Sequence, residues 1–161
     1  MSEFSHKLSL SSPDQTADLA KAIAPCLRVG DVLLLDGPVG AGKTHFARCL
    51  IQSLQDQPED VPSPTFTLVQ TYDSRAGEIW HSDLYRLSDV SEIEELGLID
   101  AFRDAICLVE WPDRLGMLAP DTALHLQFSH DTANEDTRHL TLCGDARWQT
   151  VLADVLTGVM A

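Results

Sequence analysis

Positively charged residues are scarce in this sequence. Its 161 residues include 11 lysines and arginines against 25 aspartates and glutamates, so the formal net charge is −14. Nucleic acids and anionic membranes attract proteins mainly through cationic side chains. The composition therefore argues against tight nucleic-acid binding by the isolated chain and against adhesion to an anionic membrane. A basic protein partner suits the acidic surface better, although acidity often serves solubility alone.

Paired cysteines and long apolar segments are also missing. The four cysteines lie far apart in apolar surroundings, without a CxxC pair: Cys26, Cys49, Cys107 and Cys143. We predict free thiols in a reducing cytoplasm rather than disulfides or a zinc site. No apolar run approaches the roughly 18 residues that suggest a membrane-spanning helix. No export signal is visible at the start either, so a cytoplasmic protein is predicted.

The most informative stretch is 37–44, GPVGAGKT, which matches the phosphate-binding P-loop pattern G-x-x-x-x-G-K-[ST] at every defined position. The apolar run 32–35 precedes it, as expected of a buried parallel strand. After it, Phe46, Leu50 and Leu54 recur at four-residue steps, which predicts a helix over 44–55 with one buried side. A strand, a turn and a helix in this order are the context that the motif requires.

The residue types of this loop predict its chemistry. Gly37, Gly40 and Gly42 lack a Cβ atom, so the backbone N–H groups can approach an anion closely. Those groups and the positive end of the following helix favour phosphates. Lys43 is placed to reach the β- and γ-phosphates, and the Thr44 hydroxyl to bind Mg²⁺. A glycine-rich turn with an incidental lysine and threonine is the alternative.

Hydrophobic patterning predicts an α/β fold. Strands are predicted at 6–11, 32–35, 65–72, 78–81, 105–109, 124–128 and 139–143, and helices at 13–25, 44–55, 88–98 and 146–160, with a brief helical or loop piece at 100–104. Ser12, Pro13 and Gln15 predict a capping box at the first helix. The hairpin over 65–81, with its turn at 73–77, interrupts simple βα alternation. We therefore predict one domain over 1–161, a P-loop NTPase-like three-layer sandwich whose mixed central sheet has antiparallel C-terminal strands.

Two acidic residues follow predicted strands. A P-loop enzyme needs a second acid to hold Mg²⁺ or water, usually at the end of a strand beside the P-loop strand. Glu110 ends the apolar run AICLVE, and Asp83 follows the returning strand of the hairpin. Ligands in such sheets bind beyond the carboxyl ends of the strands. A surface glutamate and a turn-capping aspartate are the alternatives that the residues leave open.

Other candidates carry weaker signals. The loop Ser63-Pro64-Thr65 could sense a γ-phosphate as switch segments do, although serine and proline also form ordinary turns. Trp111 suits packing or the shaping of a site beside Glu110. We interpret His81 as structural. Arg138 lies near a loop end, where it could reach phosphate or remain solvated.

Four motifs occur here in order and at family-like spacing: GPVGAGKT, SPTFTLVQTY, HSDLYRL and ICLVEWPDR. Together they resemble the TsaE (YjeE) family of bacterial ATPases. The resemblance implies an ATP-binding protein that acts with a TsaB–TsaD pair. That machinery attaches threonylcarbamoyl to adenosine 37 of tRNAs that read codons beginning with A. In this family the ATP cycle supports multiple turnovers by TsaD rather than performing the transfer.

The resemblance also implies roles for individual residues. The loop 39–44, including Val39 and Ala41, binds the phosphates of ATP. Thr44 and Glu110 are the implied Mg²⁺ ligands, Asp83 positions water or metal, and Trp111 is the aromatic residue required beside it. Ser63 and Thr65 belong to the implied first switch. Pro38-Val39 departs from the Asp-Leu common in this loop, but we expect these side chains to point away from the phosphates.

Three rival functions differ in what they require. A small-molecule kinase of this size needs a lid with clustered arginines, whereas the eight arginines here are scattered. A GTPase needs an N/TKxD-type guanine motif, which is missing; the DRLG at 113–116 spells DxxG beyond the strand end. A non-hydrolysing nucleotide sensor would lack catalytic acids, and Glu110 and Asp83 weigh only weakly against it.

Overall fold

The computed structural model describes residues 3–64 and 67–160. Its seven strands are β1 (Glu3–Leu10), β2 (Val32–Asp36), β3 (Val69–Ser74), β4 (Gly77–Asp83), β5 (Ile106–Glu110), β6 (Leu124–His130) and β7 (Arg138–Asp145). Its helices are α1 (Pro13–Ile23), α2 (Lys43–Ser53), α3 (Ser91–Glu95), α4 (Leu98–Asp104), α5 (Ala146–Val151) and α6 (Ala153–Met160). Short 3-10 segments occupy Ala24–Cys26 and Pro112–Leu118.

All seven strands form one mixed sheet in the order β1-β7-β6-β2-β5-β4-β3. The four central strands β6, β2, β5 and β4 run parallel, while β7 and β3 run antiparallel to their neighbours. The P-loop strand β2 therefore lies between β6 and β5. The carboxyl ends of β2, β5 and β4 meet at one edge, where ligands bind in open α/β sheets.

Alternate residues of β2 pack into two separate cores, because successive side chains of a strand point to opposite faces. Leu33 and Leu35 join a core beneath α1, α2 and the C-terminal helices. Val32 and Leu34 join a second core with residues of α3, α4 and the 3-10 segment Pro112–Leu118. Helices on both faces of the sheet confirm the predicted three-layer mixed α/β fold. No helix of the described residues is long and apolar enough to cross a bilayer.

One of the two hydrogen bonds of the predicted capping box forms at the start of the first helix, and the other does not. The Ser12 hydroxyl accepts the Gln15 N–H, and Pro13 occupies the first turn. The Gln15 side chain accepts the N–H of Ser11 at 2.7 Å rather than that of Ser12, so the predicted reciprocal capping box is wrong by one residue. One backbone donor is satisfied in either arrangement.

The boundaries of three other elements differ from the predictions. The hairpin turn spans only Arg75 and Ala76. β3 begins at Val69, so positions 67 and 68 of the strand predicted over 65–72 precede it, while positions 65 and 66 lie outside the described residues. The helix predicted over 88–98 starts at Ser91, and the left-handed Gly97 separates it from α4. The C-terminal helix breaks at Leu152, where ψ rises to 3°. Each break lies within an apolar pattern that continues across it, so periodicity alone did not show it.

Candidate functional site

The P-loop is pressed closely against the neighbouring strand β6. An ideal Cβ on Gly37 would lie 2.5 Å from the backbone oxygen of Phe128, so a larger residue would force the two strands apart. At the other end, Gly42 has φ of +103° and precedes the first residue of α2. No side chain of the described residues caps α2 there. Its first-turn N–H groups therefore face a position suited to an anion.

The Lys43 side chain lies inside the site rather than in solvent, with 4% of its surface exposed. Its Nζ atom donates to the Gly37 oxygen at 2.5 Å and lies 3.6 Å from the centre of the Trp111 ring. Burial lowers the pKa of the Lys43 amine, and nearby carboxylates, chiefly Glu110 and Asp83, partly offset that effect. The amine is thus held by a carbonyl and a π face, both of which a phosphate could replace.

A buried polar chain joins α2, β5 and β4. The Thr44 hydroxyl lies 2.9 and 3.0 Å from the two carboxylate oxygens of Glu110, to which it donates. His81 Nε2 lies 2.7 Å from Glu110 Oε2. Both Glu110 and His81 are buried. The residue predicted from sequence to end β5 beside the P-loop therefore touches the P-loop threonine directly.

Asp83 lies opposite Glu110 in the register of the parallel strands β4 and β5. Its Oδ1 atom accepts the backbone N–H of Tyr85 at 3.0 Å, and its own N–H donates to the oxygen of Leu68. Leu68 in turn donates its N–H to Pro64 at 2.7 Å. Asp83 is therefore linked through one residue to the predicted switch loop.

Two aromatic rings cover the mouth of the site. Trp111 adopts the left-handed conformation (φ +58°, ψ +53°) immediately after β5. A non-glycine residue there costs about 1–2 kcal/mol, and such strain concentrates at functional sites. The half-exposed Tyr85 packs against Trp111 with ring centres 4.8 Å apart. The sharp turn thus places the indole ring over the Lys43 amine, and the partly buried side chain also packs against the second core.

These residues line an open cavity of about 440 Å³. Nine of its lining residues were predicted as site residues: Val39, Gly40, Gly42, Lys43, Thr44, Ser63, Asp83, Glu110 and Trp111. Gly37 and Ala41 lie beside the cavity; Gly37 contributes its carbonyl to Lys43, while Ala41 is buried and donates its N–H to Pro38. Val39 lies at the exposed rim. The predicted switch residue Thr65 lies outside the described residues.

Sequence reasoning missed three contributors to the site. Tyr85 and His45 line the cavity. His81 was interpreted as structural, yet it contacts Glu110. The spacing of the HSD motif indicates that its histidine and its aspartate point the same way, because residues two apart on a strand share a face. His81 therefore had to lie on the same side of β4 as Asp83.

Arg138, left open by the sequence, contacts the P-loop from β7. Its guanidinium donates to the Gly40 oxygen at 3.3 Å and to the oxygens of Thr137 and Glu135. We expect Arg138→Gln to weaken the ATP binding that the sequence predicts about 3- to 10-fold, because a net hydrogen bond of about 1 kcal/mol that holds the loop is lost. Isothermal titration calorimetry measures the change. Arg103→Gln, on the exposed surface of α4, is the control; equal affinities of the two variants would refute a clamping role.

Comparison with known proteins identifies relatives along most of the chain. Residues 10–140 match the family model described as threonylcarbamoyl adenosine biosynthesis protein TsaE. The tRNA threonylcarbamoyladenosine biosynthesis protein TsaE of Bacillus subtilis is 33% identical over 147 residues, which cover 91% of this chain and 90% of that protein. The protein of the same name from Rickettsia felis is 42% identical over 66% of this chain. The match covers 62% of that relative, so the chain spans less than two thirds of its length.

A solved structure resembles the whole fold. The crystal structure of Bacillus subtilis YdiB superposes with a TM-score of 0.76 at 26% sequence identity. The superposition covers 100% of this chain and 99% of the other. The similarity therefore includes the strands and helices that carry the cavity as well as the C-terminal elements outside the family-model match.

Proposed function

The chain belongs to the TsaE family of threonylcarbamoyl adenosine biosynthesis proteins, and from that membership we propose that it binds and hydrolyses ATP in the synthesis of N6-threonylcarbamoyladenosine at position 37 of tRNA. It acts there with TsaB–TsaD and supports repeated turnover by that pair. One observation carries the proposal: Lys43, Thr44 and Glu110 converge on one cavity at the carboxyl end of the sheet.

The residues of the cavity fit ATP and Mg²⁺. Glu110 and Thr44 present oxygen atoms, which Mg²⁺ prefers, within 3.0 Å of each other. No group of three or more His, Cys, Asp and Glu side chains in the described chain is arranged to hold a metal by itself. Mg²⁺ usually takes one or two protein ligands and completes its shell with phosphate and water. This donor set therefore suits a metal that arrives with a nucleotide.

Each side chain has a defined task in the proposed reaction. Lys43 and the first N–H groups of α2 neutralise the phosphate oxygens as charge develops on them. Thr44 and Glu110 would hold Mg²⁺, which would supply further charge neutralisation. Asp83, opposite Glu110, orients the attacking water. Trp111 and Tyr85 cover the cavity and limit the access of bulk water.

The composition of the cavity supports a partner-dependent ATPase. Lys43 is its single lysine, and among the described residues no arginine lines it. An arginine supplied by another protein raises the rate of related phosphoryl-transfer enzymes about 10³–10⁵-fold. With its net charge of −14, the chain is poorly suited to capturing tRNA directly. We therefore propose that protein contacts, rather than nucleic acid, connect it to its pathway.

We expect slow ATP hydrolysis by the isolated chain and a rise of at least about tenfold when TsaB–TsaD is added, because partners complete the site. Phosphate release should be measured for the chain alone, with tRNA alone and with TsaB–TsaD. The matched control replaces the wild-type chain by Lys43→Ala in the same mixture. This control separates stimulated hydrolysis from any ATPase activity of TsaB–TsaD.

Full activity of the isolated chain would contradict partner dependence and favour a stand-alone enzyme. Tight, salt-sensitive binding of tRNA by the chain alone would contradict the proposed route through protein contacts. Nucleotide binding without phosphate release in all three mixtures would instead support a non-hydrolysing nucleotide sensor.

A further inference from the structure

We propose that His81 is a positioning residue that holds the Glu110 carboxylate in the orientation needed for Mg²⁺, an inference that rests on the proposed function. The observation behind it is the hydrogen-bonded chain that runs from β4 through Glu110 to Thr44. His81 does not line the cavity. It therefore acts through Glu110 rather than on the nucleotide.

Burial makes the hydrogen bond between His81 and Glu110 costly to lose. His81 is fully buried and Glu110 nearly so, so water cannot replace a lost hydrogen bond at low cost. The described residues provide Glu110 with two side-chain hydrogen-bond partners, the Thr44 hydroxyl and His81 Nε2. Thr44 is itself a proposed metal ligand. His81 is thus the partner that can hold the carboxylate while Thr44 binds the metal.

The environment of the imidazole indicates which nitrogen carries the proton. Nε2 lies 2.7 Å from a carboxylate oxygen, and a bare nitrogen lone pair there would repel it. In residues 3–64 and 67–160, Nδ1 is buried without a hydrogen-bond partner. A proton on Nδ1 would therefore be an unsatisfied buried donor. Both facts assign the proton to Nε2, which donates to Glu110.

The fold places His81 where truncation of its side chain would affect the orientation of the Glu110 carboxylate. His81 lies two residues before Asp83, on the same face of β4, and pairs with Leu108 of β5. From there its ring reaches along the strand to Glu110. Without that ring, the buried Oε2 atom would keep the Thr44 hydroxyl as its one side-chain donor among the described residues, and nothing would hold the carboxylate from the β4 side. Metal-site partners of this kind typically change metal affinity about 10–100-fold when they are mutated.

The test compares three variants of the full chain. His81→Leu removes the donor, His81→Asn keeps an amide that is too short to reach Glu110, and His81→Gln places an amide nitrogen near the former Nε2. Calorimetry measures ATP affinity with EDTA and with Mg²⁺. With EDTA, all variants should bind ATP within about twofold of the wild type, since the phosphate cradle is unchanged.

The measured quantity is the factor by which Mg²⁺ raises ATP affinity above its value in EDTA. This factor should be about tenfold or more smaller in His81→Leu and His81→Asn than in the wild type. It should recover to within about threefold of the wild type in His81→Gln. If His81→Leu does not fold, the comparison of His81→Asn with His81→Gln tests the proposal. Ser82→Ala is the matched control, because it removes a neighbouring buried hydroxyl that has no partner among the described residues.

Two outcomes separate this inference from the proposed function. If Mg²⁺ strengthens ATP binding equally in the wild type, His81→Leu and His81→Asn, the positioning role is overturned and the proposed function is not. A wild-type chain that binds no ATP under any condition would overturn the proposed function and this inference with it. Loss in both variants with recovery in His81→Gln supports the positioning role, because a purely structural role would not discriminate between the two amides.

Discussion

Lys43→Ala is expected to lower kcat/KM for Mg·ATP by about 10³-fold or more. The amine is a charged donor in a buried site, and a hydrogen bond to a charged group is worth about 1.5–3 kcal/mol, or about 10- to 100-fold in affinity. Removing one preorganised donor from developing negative charge costs a further 10²–10³-fold in turnover, in order of magnitude. Calorimetry measures the first effect, and phosphate release with TsaB–TsaD measures the second.

The fold should survive this substitution. The Lys43 amine contacts a P-loop carbonyl and the face of Trp111 at the edge of an open cavity, so truncation leaves the two cores intact. Lys21→Ala on α1 is the matched control, because Lys21 is exposed and does not line the cavity. A Lys43→Ala protein with wild-type affinity and turnover would refute the assignment of residues 37–44 as the phosphate-binding loop.

Glu110→Gln is expected to retain ATP binding but to lose about 10²–10³-fold in turnover, the order of magnitude seen when one group that stabilises the transition state is removed. Glutamine keeps the size of the side chain and an oxygen for the His81 donor. It removes the charge that favours Mg²⁺ beside Thr44. ATP affinity in EDTA should stay within about threefold of the wild type, so binding and turnover separate.

The control for Glu110→Gln is Glu94→Gln, the same change on the exposed surface of α3. Asp83→Asn should act in the same direction with a smaller effect. Its Oδ1 accepts the Tyr85 N–H, a contact that an asparagine oxygen preserves. Unchanged turnover in Glu110→Gln would remove Glu110 from the proposed catalytic residues and leave Thr44 to hold the metal with nucleotide and water.

Some secondary-structure elements could be predicted from the local sequence pattern alone. The strand–turn–helix unit around Lys43 was predicted within a few residues, because its apolar strand, glycines and helical period lie in one continuous segment. The helix break at Leu152 was missed, and the end of the helix predicted over 88–98 was placed one residue beyond the break at Gly97. In both places the apolar residues continue across the break, and packing against the sheet decides where the axis turns. The other half of the capping box differs for a local reason, since the Gln15 side chain accepts the N–H of Ser11 rather than that of Ser12.

By itself, the sequence determined the glycine-rich strand–turn–helix unit, the mixed α/β class and the identity of the two acids at strand ends, because each of these features depends on residues that are contiguous in the chain. Only the tertiary structure decided which of those residues meet. Strand order places β5 and β4 beside β2, which brings Glu110 to Thr44, 66 positions away, and His81 to Glu110. The contact of Arg138 with Gly40 spans 98 positions. Strand pairing creates such contacts, and a local hydrophobic pattern predicts that a strand exists without specifying its neighbours.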